Sequence, residues 1–270
     1  MTVSLTNASG PTGQRFAAGT FRPRPGRGRL LGMLATHTRT EAVLTLRNGE
    51  QVLLTLLIPL ALLVGLSVLD VLPLPTPRVD AVTPRVVALA VMSTTFTGQA
   101  IALGFDRRYG VLRRLAATAL PRWLLVAGRV LANLLVVAVQ LVVIGVVAAL
   151  LGWSPALGGV GWALLFVLLG GLAFGALGVL LGGSLRAEIV LALANTVWFV
   201  LLLAGGIVVP LSSLPGGLAA VVQLLPSSAL AEGLRTALVD GAFPGWQPLA
   251  VLVGWTAVAG LAATRTTRLT

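Results

Sequence analysis

The sequence predicts an all-α integral membrane protein with six transmembrane helices. Of its 270 residues, 57% are hydrophobic and only 10% are charged, and the mean hydropathy is +0.98. A soluble domain carries about 25% charged residues. Several stretches also contain the roughly 20 mainly apolar residues that a helix needs to cross the hydrocarbon core of a bilayer. We therefore expect the excess apolar side chains to face lipid.

The chain is predicted to consist of a membrane domain, residues 30–265, between two cytoplasmic tails. Residues 1–29 contain Gly, Pro, Ser, Thr and Arg but no apolar segment, so they are expected to be a disordered tail and not a signal peptide. The second tail comprises residues 266–270. The six predicted spans are 51–69, 86–105, 123–151, 158–181, 188–209 and 246–263.

The arginines predict the orientation of these spans. The chain contains no lysine, and fifteen of its 19 arginines lie in tails and loops on one side of the predicted spans, against three on the other. Because cytoplasmic loops carry the excess of positive charge, both termini are expected in the cytoplasm. An even number of spans agrees with that arrangement.

Two segments do not fit a plain series of six spans. Residues 30–48 mix apolar residues with Thr, Arg and Glu, which favours an interfacial helix on the cytoplasmic surface. Residues 210–245 are apolar but are interrupted by Pro and Gly. Their two short helices, about 217–225 and 227–239, are expected to form a re-entrant hairpin that is buried against protein.

The composition excludes most chemistry for this chain. There is no Cys, and His37, the single His, lies outside the spans, so we predict no metal site. Ser184, Ser227 and Ser228 have no neighbouring base in the sequence. A P-loop requires a Lys that contacts the nucleotide phosphates, so this chain binds no cofactor, and any ATP must be held by another polypeptide. The arginines are explained by membrane orientation, and no nucleic-acid partner is expected.

A few polar residues interrupt the predicted spans. Thr95 and Gln99 lie in the second span, Asn133 and Gln140 in the third, and Asn195 in the fifth. Asn133 and Gln140 are seven residues apart and share one helical face. Hydrogen bonds between helices are one interpretation. The other is a polar lining for a translocation route, for which Thr95, Gln99 and Asn195 are the candidates.

The fourth span is rich in glycine. Gly171 and Gly175 form a small-xxx-small pattern, which indicates close packing against another helix.

Residues 105–122 form a short and strongly cationic loop. Val111, Leu112 and Leu115 make a small apolar stripe among its arginines. A solvated loop that only sets topology is one interpretation. A docking helix is the other, because apolar anchors framed by charges are what a helix needs to bind a groove.

This loop resembles the loop between the second and third spans of type-2 ABC exporter permeases. That family has an acidic and then a basic residue, followed by a Gly-Val/Leu-basic-x-Leu stretch and a Thr-Pro-Leu-like turn. The residues that carry the resemblance are Asp106, Arg107, Gly110, Leu112, Arg113 and Leu115. Asp106 replaces the commoner Glu, and residues 118–121 depart from the usual order of the turn.

A second resemblance lies after the fifth span. The family's re-entrant stretch is similar to the segment that contains Gly206, Pro210, Pro215, Pro226, Glu232 and Arg235. Taken together, the two resemblances cover about residues 30–265.

The resemblance implies a permease subunit of an ATP-driven exporter in the bacterial plasma membrane. Its partners would be two copies of a cytoplasmic ABC ATPase, which hold ATP and Mg, and a second permease subunit, identical or related. Spans one, two and five would line the subunit interface and the route. The ATPase-coupling loop would comprise Asp106, Arg107, Arg108, Gly110, Leu112, Arg113 and Leu115. The outer re-entrant gate would comprise Pro210, Pro215, Pro226, Glu232 and Arg235.

Alternatives stay open at this point. An ion-coupled secondary carrier would need a charge at mid-membrane, and the span centres contain none. A membrane assembly subunit that transports nothing fits the same sequence, whereas an intramembrane hydrolase lacks a base. The apolar spans favour a hydrophobic or amphiphilic substrate, such as a drug-like molecule or a lipid.

Overall fold

The computed structural model describes residues 29–69, 74–117, 121–208 and 214–266, and every regular element within them is helical. The all-α class is thereby confirmed. Both predicted tails, apart from Arg29 and Thr266, lie outside these ranges, as does Pro210. The helices are α1 (Leu30–Arg47), α2 (Gly49–Val68), α3 (Arg78–Arg108), α4 (Val111–Ala116), α5 (Arg122–Leu150), α6 (Val160–Ser184), α7 (Ala187–Ala204), α8 (Gly216–Val222), α9 (Pro226–Asp240) and α10 (Trp246–Thr266).

In the described part of the chain, four helices are long and apolar enough to cross a bilayer, namely α3, α5, α6 and α10. The pair α8 and α9 is bent by 95° and makes a fifth candidate if it is one span. The apolar parts of α2 and α7 are shorter, at Thr55–Val68 and Ala187–Leu203. Each predicted span falls on a helix, but the count of six and the re-entrant hairpin stay predictions.

Helix α3 is the centre of the molecule. In its most apolar stretch, 78% of the residues are buried within the chain, against 28% for α5 and 17% for α10. Helices α2, α5, α6 and α9 all pack against it. It begins at Arg78, well before the predicted start at residue 86, because its polar first turns are covered by protein and do not face lipid.

The middle of α3 contains a π-helical segment, Ser93–Gly98. Two of its hydroxyl groups bond within the helix, since Thr95 donates to the carbonyl of Val91 at 2.7 Å and Ser93 donates to that of Leu89 at 2.8 Å. The Thr94 hydroxyl bonds to α5, and that of Thr97 has no partner among the described residues. Such wide turns are uncommon and often lie at functional sites. The segment separates the half of α3 that starts at Arg78 from the half that ends in the basic loop.

Close packing of α6 on α3 depends on two glycines. A Cβ atom added to Gly178 would lie 2.9 Å from the carbonyl oxygen of Phe96, and one added to Gly182 would lie 2.4 Å from that of Ala100. By contrast, Gly175 has nothing within 4 Å of such an atom, and Gly171 meets only the flexible side chain of Leu134 closely. The fourth span does pack closely, as predicted, but the glycines in backbone contact are Gly178 and Gly182, seven residues after the predicted pair.

The predicted interfacial helix is present as α1, which lies against the start of α5. His37 Nε2 is 3.3 Å from the carbonyl oxygen of Leu125. Gly128 permits this approach, because a Cβ atom there would lie 2.3 Å from the His37 ring. Leu31 and Leu44 remain exposed on α1, and the position of α1 in the lipid interface stays a prediction.

Residues 214–240 contain the two short helices expected from the sequence. Pro226 occupies the first turn of α9, where its missing N–H costs nothing. Helix α9 packs against α3, α6 and α10. The chain at Gly205 and Gly206 crosses directly over its first turn, and a Cβ atom on Gly205 would lie 2.0 Å from the Ser227 hydroxyl.

Candidate functional site

The basic loop begins where α3 ends. The amide of Tyr109 donates to the carbonyl of Phe105 at 2.9 Å, and that of Gly110 donates to Arg107 at 3.2 Å. Gly110 then adopts φ +68°, in the left-handed region that glycine occupies without strain. A Cβ atom there would meet nothing within 4 Å, so the backbone angle and not the available space requires glycine. The turn sends α4 away from the axis of α3.

Arg107 joins the base of the loop to the end of α6. Its guanidinium donates to the carbonyl oxygens of Gly182 at 3.1 Å and Leu185 at 3.2 Å. The last carbonyls of a helix lack partners within the helix and carry partial negative charge. Arg107 therefore satisfies two such carbonyls and holds α3 and α6 together.

Asp106 joins the loop to α5 and α1 through a cluster of three charges. Its carboxylate forms an ion pair with Arg129 of α5, and the Nε atom of Arg129 is 3.8 Å from a carboxylate oxygen of Glu41 on α1. Arg129 has only 11% of its side chain exposed. Because the surroundings are largely dry, this contact is stronger than an ion pair in water.

Arg108 forms a further ion pair with Glu188 at the start of α7. Its side chain is 50% exposed and that of Glu188 is 63% exposed, so solvent screens the attraction and the pair adds little stability. The three consecutive residues 106–108 thus contact α5, α6 and α7 directly, and they are linked to α1 through Arg129.

Helix α4 has one side chain buried in the molecule and others exposed to solvent. Leu112 is 8% exposed and lines a cavity of about 350 Å³ with Arg107, Ser184 and Glu188. Leu115 is half-buried, whereas Arg113 is exposed. Leu112 of the predicted docking stripe is thus turned into this chain, and the exposed groups of α4 are mainly cationic.

The residues of the predicted gate lie at the opposite end of α3. Pro215 precedes α8 and Pro226 begins α9. Arg235 donates to Glu232 at 2.9 and 2.7 Å and to Asp240 at 3.2 Å. These bonds lie within α9 and stabilise its last two turns.

The polar residues of the spans mostly bond to one another. Asn133 of α5 donates to Gln99 of α3 at 2.5 Å, and Thr94 donates to Gln140 at 2.8 Å. The interpretation as hydrogen bonds between helices is therefore confirmed for Asn133 and Gln140. Thr95 and Gln99 are buried, whereas Asn195 is exposed on α7. A role for these three in lining a route stays a prediction.

Sequence reasoning did not connect Asp106 with Arg129, because the two residues are 23 positions apart. A signal was present, since Arg129 is the single charged residue between residues 123 and 151, and charges in membrane segments are usually paired. The sequence also did not indicate the surroundings of Arg85, which lines a cavity near α9.

The arrangement of helices agrees with a comparison of the sequence with known families. No curated protein matches the chain. The family model of the ABC-2 type transporter matches residues 34–239, from α1 to the end of α9, and includes the basic loop and both short helices. Because that match covers most of the sequence, the chain belongs to the ABC-2 type transporter family and is a multi-pass membrane permease subunit of an ABC transporter.

Proposed function

We propose that this chain is the membrane subunit of an exporter that moves a hydrophobic or amphiphilic substrate, such as a drug-like molecule or a lipid, out of the cytoplasm or inner leaflet. ATP is hydrolysed by a separate cytoplasmic ABC ATPase, since the whole sequence lacks the Lys of a P-loop. The chain lies in the bacterial plasma membrane with both termini and the basic loop on the cytoplasmic side, and two ATPase copies and a second permease subunit complete the transporter.

The observation that carries this proposal is the attachment of the basic loop to the rest of the molecule. Arg107 bonds to the end of α6, Arg108 pairs with α7, and Asp106 reaches α5 and α1 through Arg129. A force applied to α4 therefore acts on the ends of several helices at once. A loop that only set topology would need no such contacts.

The chemistry of the exposed face indicates how the ATPase binds. Arg113, Arg114 and Tyr109 are exposed, and Tyr109 stacks on Phe105 with the ring centroids 6.0 Å apart. Cations that surround one aromatic ring fit an acidic groove with an apolar floor. Leu112 does not contact the ATPase; its buried side chain holds α4 against the start of α7.

Closure of the ATPase dimer would then displace α4 and the cytoplasmic half of α3 together. The π-helical segment Ser93–Gly98 joins the cytoplasmic half of α3 to the half that packs on α9. At the far end, α8 and α9 with Pro215, Pro226, Glu232 and Arg235 form the outer gate. The apolar outward faces of α2 and α7 favour a hydrophobic substrate over a polar one.

The first experiment is a detergent pull-down of the tagged chain from its native host, with bound proteins identified by mass spectrometry. Two variants are compared with the unchanged chain. Arg113→Glu with Arg114→Glu reverses the charge of the exposed face of α4. Arg265→Glu is the matched control, because it reverses an exposed arginine at the same end of the molecule, on α10. Leu112 is left unchanged, since a carboxylate there would be buried without a partner.

We expect an ABC ATPase to co-purify with the unchanged chain and with the control, and to be reduced at least about tenfold with the loop variant, as the loss of two interfacial ion pairs predicts. If the ATPase stays bound to the loop variant, it binds a surface other than the exposed face of α4. If no ATPase binds any of the three proteins, the exporter proposal is wrong, and a carrier or a non-transporting assembly subunit replaces it.

A further inference from the structure

A larger cavity lies at the opposite end of α3 from the basic loop. It has a volume of about 690 Å³ and lies between α3, α9, the bend at Gly206 and the start of α10. Helix α3 has 31 residues, so its two ends are about 45 Å apart at 1.5 Å per residue. The cavity is thus separate from the ATPase-coupling loop.

Arg85 is the cation of this cavity that has no close partner in the part of the chain that the structure describes. Among the described residues it forms no ion pair or hydrogen bond, and Glu232 attracts it only from a longer distance. Arg235 lines the same cavity but is already bound by Glu232 and Asp240. A half-buried cation without a close partner is costly. We infer from this cost that Arg85 is placed to bind an anionic group.

The start of α9 adds further hydrogen-bond donors. Ser228 lines the cavity and is only 1% exposed, and its hydroxyl has no hydrogen-bond partner among the described residues. The first backbone bond of α9 runs from the amide of Ala229 to the carbonyl of Leu225, and no side chain of the described ranges caps this end. The amides before Ala229 therefore lack acceptors within the helix, and the positive end of the helix dipole lies here.

These unmatched groups are all cationic or able to donate a hydrogen bond, so their complement is an anion. We propose that the cavity binds the phosphate or carboxylate group of a ligand. The Arg85 guanidinium is the charged donor, and the Ser228 hydroxyl and the first amides of α9 are the neutral donors. This site goes beyond the proposed function, because it requires neither an ATPase nor a docked loop.

The rim of the cavity places that anion at the level of lipid headgroups. Trp246 lines the cavity and is 75% exposed, and its ring lies 5.1 Å from that of Phe243, which in turn lies 4.8 Å from Trp162. Exposed Trp side chains are typical of the boundary between lipid and water. A phospholipid headgroup and a free phosphate share the chemistry that the cavity recognises, and the experiment separates them.

The test uses the purified full-length chain in a neutral detergent, without ATPase, and isothermal titration calorimetry. Three probes are titrated: dihexanoyl phosphatidylglycerol, dihexanoyl glycerol, which lacks the phosphate, and inorganic phosphate. Arg85→Gln removes the proposed anchor. Arg78→Gln is the control, because Arg78 lies on the same helix at the same end but does not line the cavity.

We expect the phospholipid to bind the unchanged chain and the Arg78 variant, and to bind the Arg85 variant at least about tenfold more weakly, as befits loss of a charged hydrogen bond. Dihexanoyl glycerol should bind weakly to all three. Saturable binding of inorganic phosphate that also depends on Arg85 identifies a site for a free anion, and binding of the phospholipid alone identifies a headgroup site.

Equal affinity of the Arg85 variant and the unchanged chain would overturn the proposal. Equal binding of the two lipids, or binding of none of the probes, would do so as well. If Arg85→Gln cannot be purified in folded form, Ser228→Ala replaces it, with an expected loss of roughly threefold or more for one neutral hydrogen bond. An unchanged affinity in that variant would reject the site.

Discussion

Arg129 and Arg108 both form ion pairs, but their side chains are buried to different extents. Arg129 is 11% exposed and contacts two carboxylates, whereas Arg108 is 50% exposed and contacts one. Removing one partner from a buried pair leaves a charge that cannot be solvated, but removing one from an exposed pair does not. The same residue type therefore has different energetic weight at the two positions.

We predict that Arg129→Gln destabilises the chain more than Arg108→Gln. The first substitution leaves Asp106 and Glu41 without their shared cation. Its cost should exceed the roughly 0–1 kcal/mol of an exposed pair but stay below the roughly 3–5 kcal/mol of a fully buried one. Thermal unfolding in detergent, followed by tryptophan fluorescence, measures the difference in Tm. Equal Tm values for the two variants would show that the cluster around Arg129 is solvated.

At the scale of the elements, the contact between α3 and α6 decides how force passes along the molecule. Gly178 and Gly182 allow the backbone of α6 to touch that of α3 at and just beyond the π-helical segment. Protein interiors are packed too densely to accept extra atoms at such a place. We therefore expect the two helices to move as one body where they touch, so that the half of α3 that ends in the basic loop carries α6 with it.

We predict that Gly182→Ala destabilises the chain by about 1–3 kcal/mol, the usual cost of overpacking. The added Cβ atom would lie 2.4 Å from the Ala100 carbonyl oxygen, which the helix backbone cannot move away. Gly175→Ala is the control on the same helix. It meets nothing within 4 Å and should be neutral or gain up to about 1 kcal/mol from helix propensity.

The midpoint of unfolding in detergent, measured on both variants, tests this contact. A Gly182 variant as stable as its Gly175 counterpart would mean that the two helices are not in backbone contact in the membrane.

At the scale of the whole molecule, the outward face of α7 is where we expect the proposed second permease subunit to bind. Asn195 is exposed there between Leu191 and Phe199, which are also exposed. An amide that faces lipid without a partner is costly, whereas an amide at a contact between two subunits finds one. This face is therefore the expected subunit interface, in line with the proposed role of the fifth span.

A cysteine at this position tests the interface, because the chain contains no Cys. We expect Asn195→Cys to form a disulfide-linked dimer on oxidation in native membranes. Val142→Cys, on the outward face of α5 and 66% exposed, should stay monomeric on denaturing gels. Cross-linking at Val142 but not at Asn195 would place the second subunit against α5 instead.

Much of this protein follows from its sequence by itself. The helical membrane class, the position of each apolar segment to within a few residues at most ends, and the two short helices of residues 214–240 depend on composition and on local runs of residues. Such properties are set within about 20 residues, the length of one span. The resemblance of residues 106–115 to a coupling loop is local in the same way, and it pointed to the family that the comparison shows.

Other features were decided only by the tertiary structure. The central position of α3, the burial of Leu112, the pairing of Asp106 with Arg129, and the choice of Gly178 and Gly182 over Gly171 and Gly175 depend on which helices are neighbours and how each is rotated. The open cavity beside Arg85 has the same origin, since α9 reaches it from more than 140 positions further along the chain. The physical reason is common to all five. Apolar side chains satisfy lipid and protein equally well, so their pattern fixes where a helix lies in the chain but not which of its faces meets another helix.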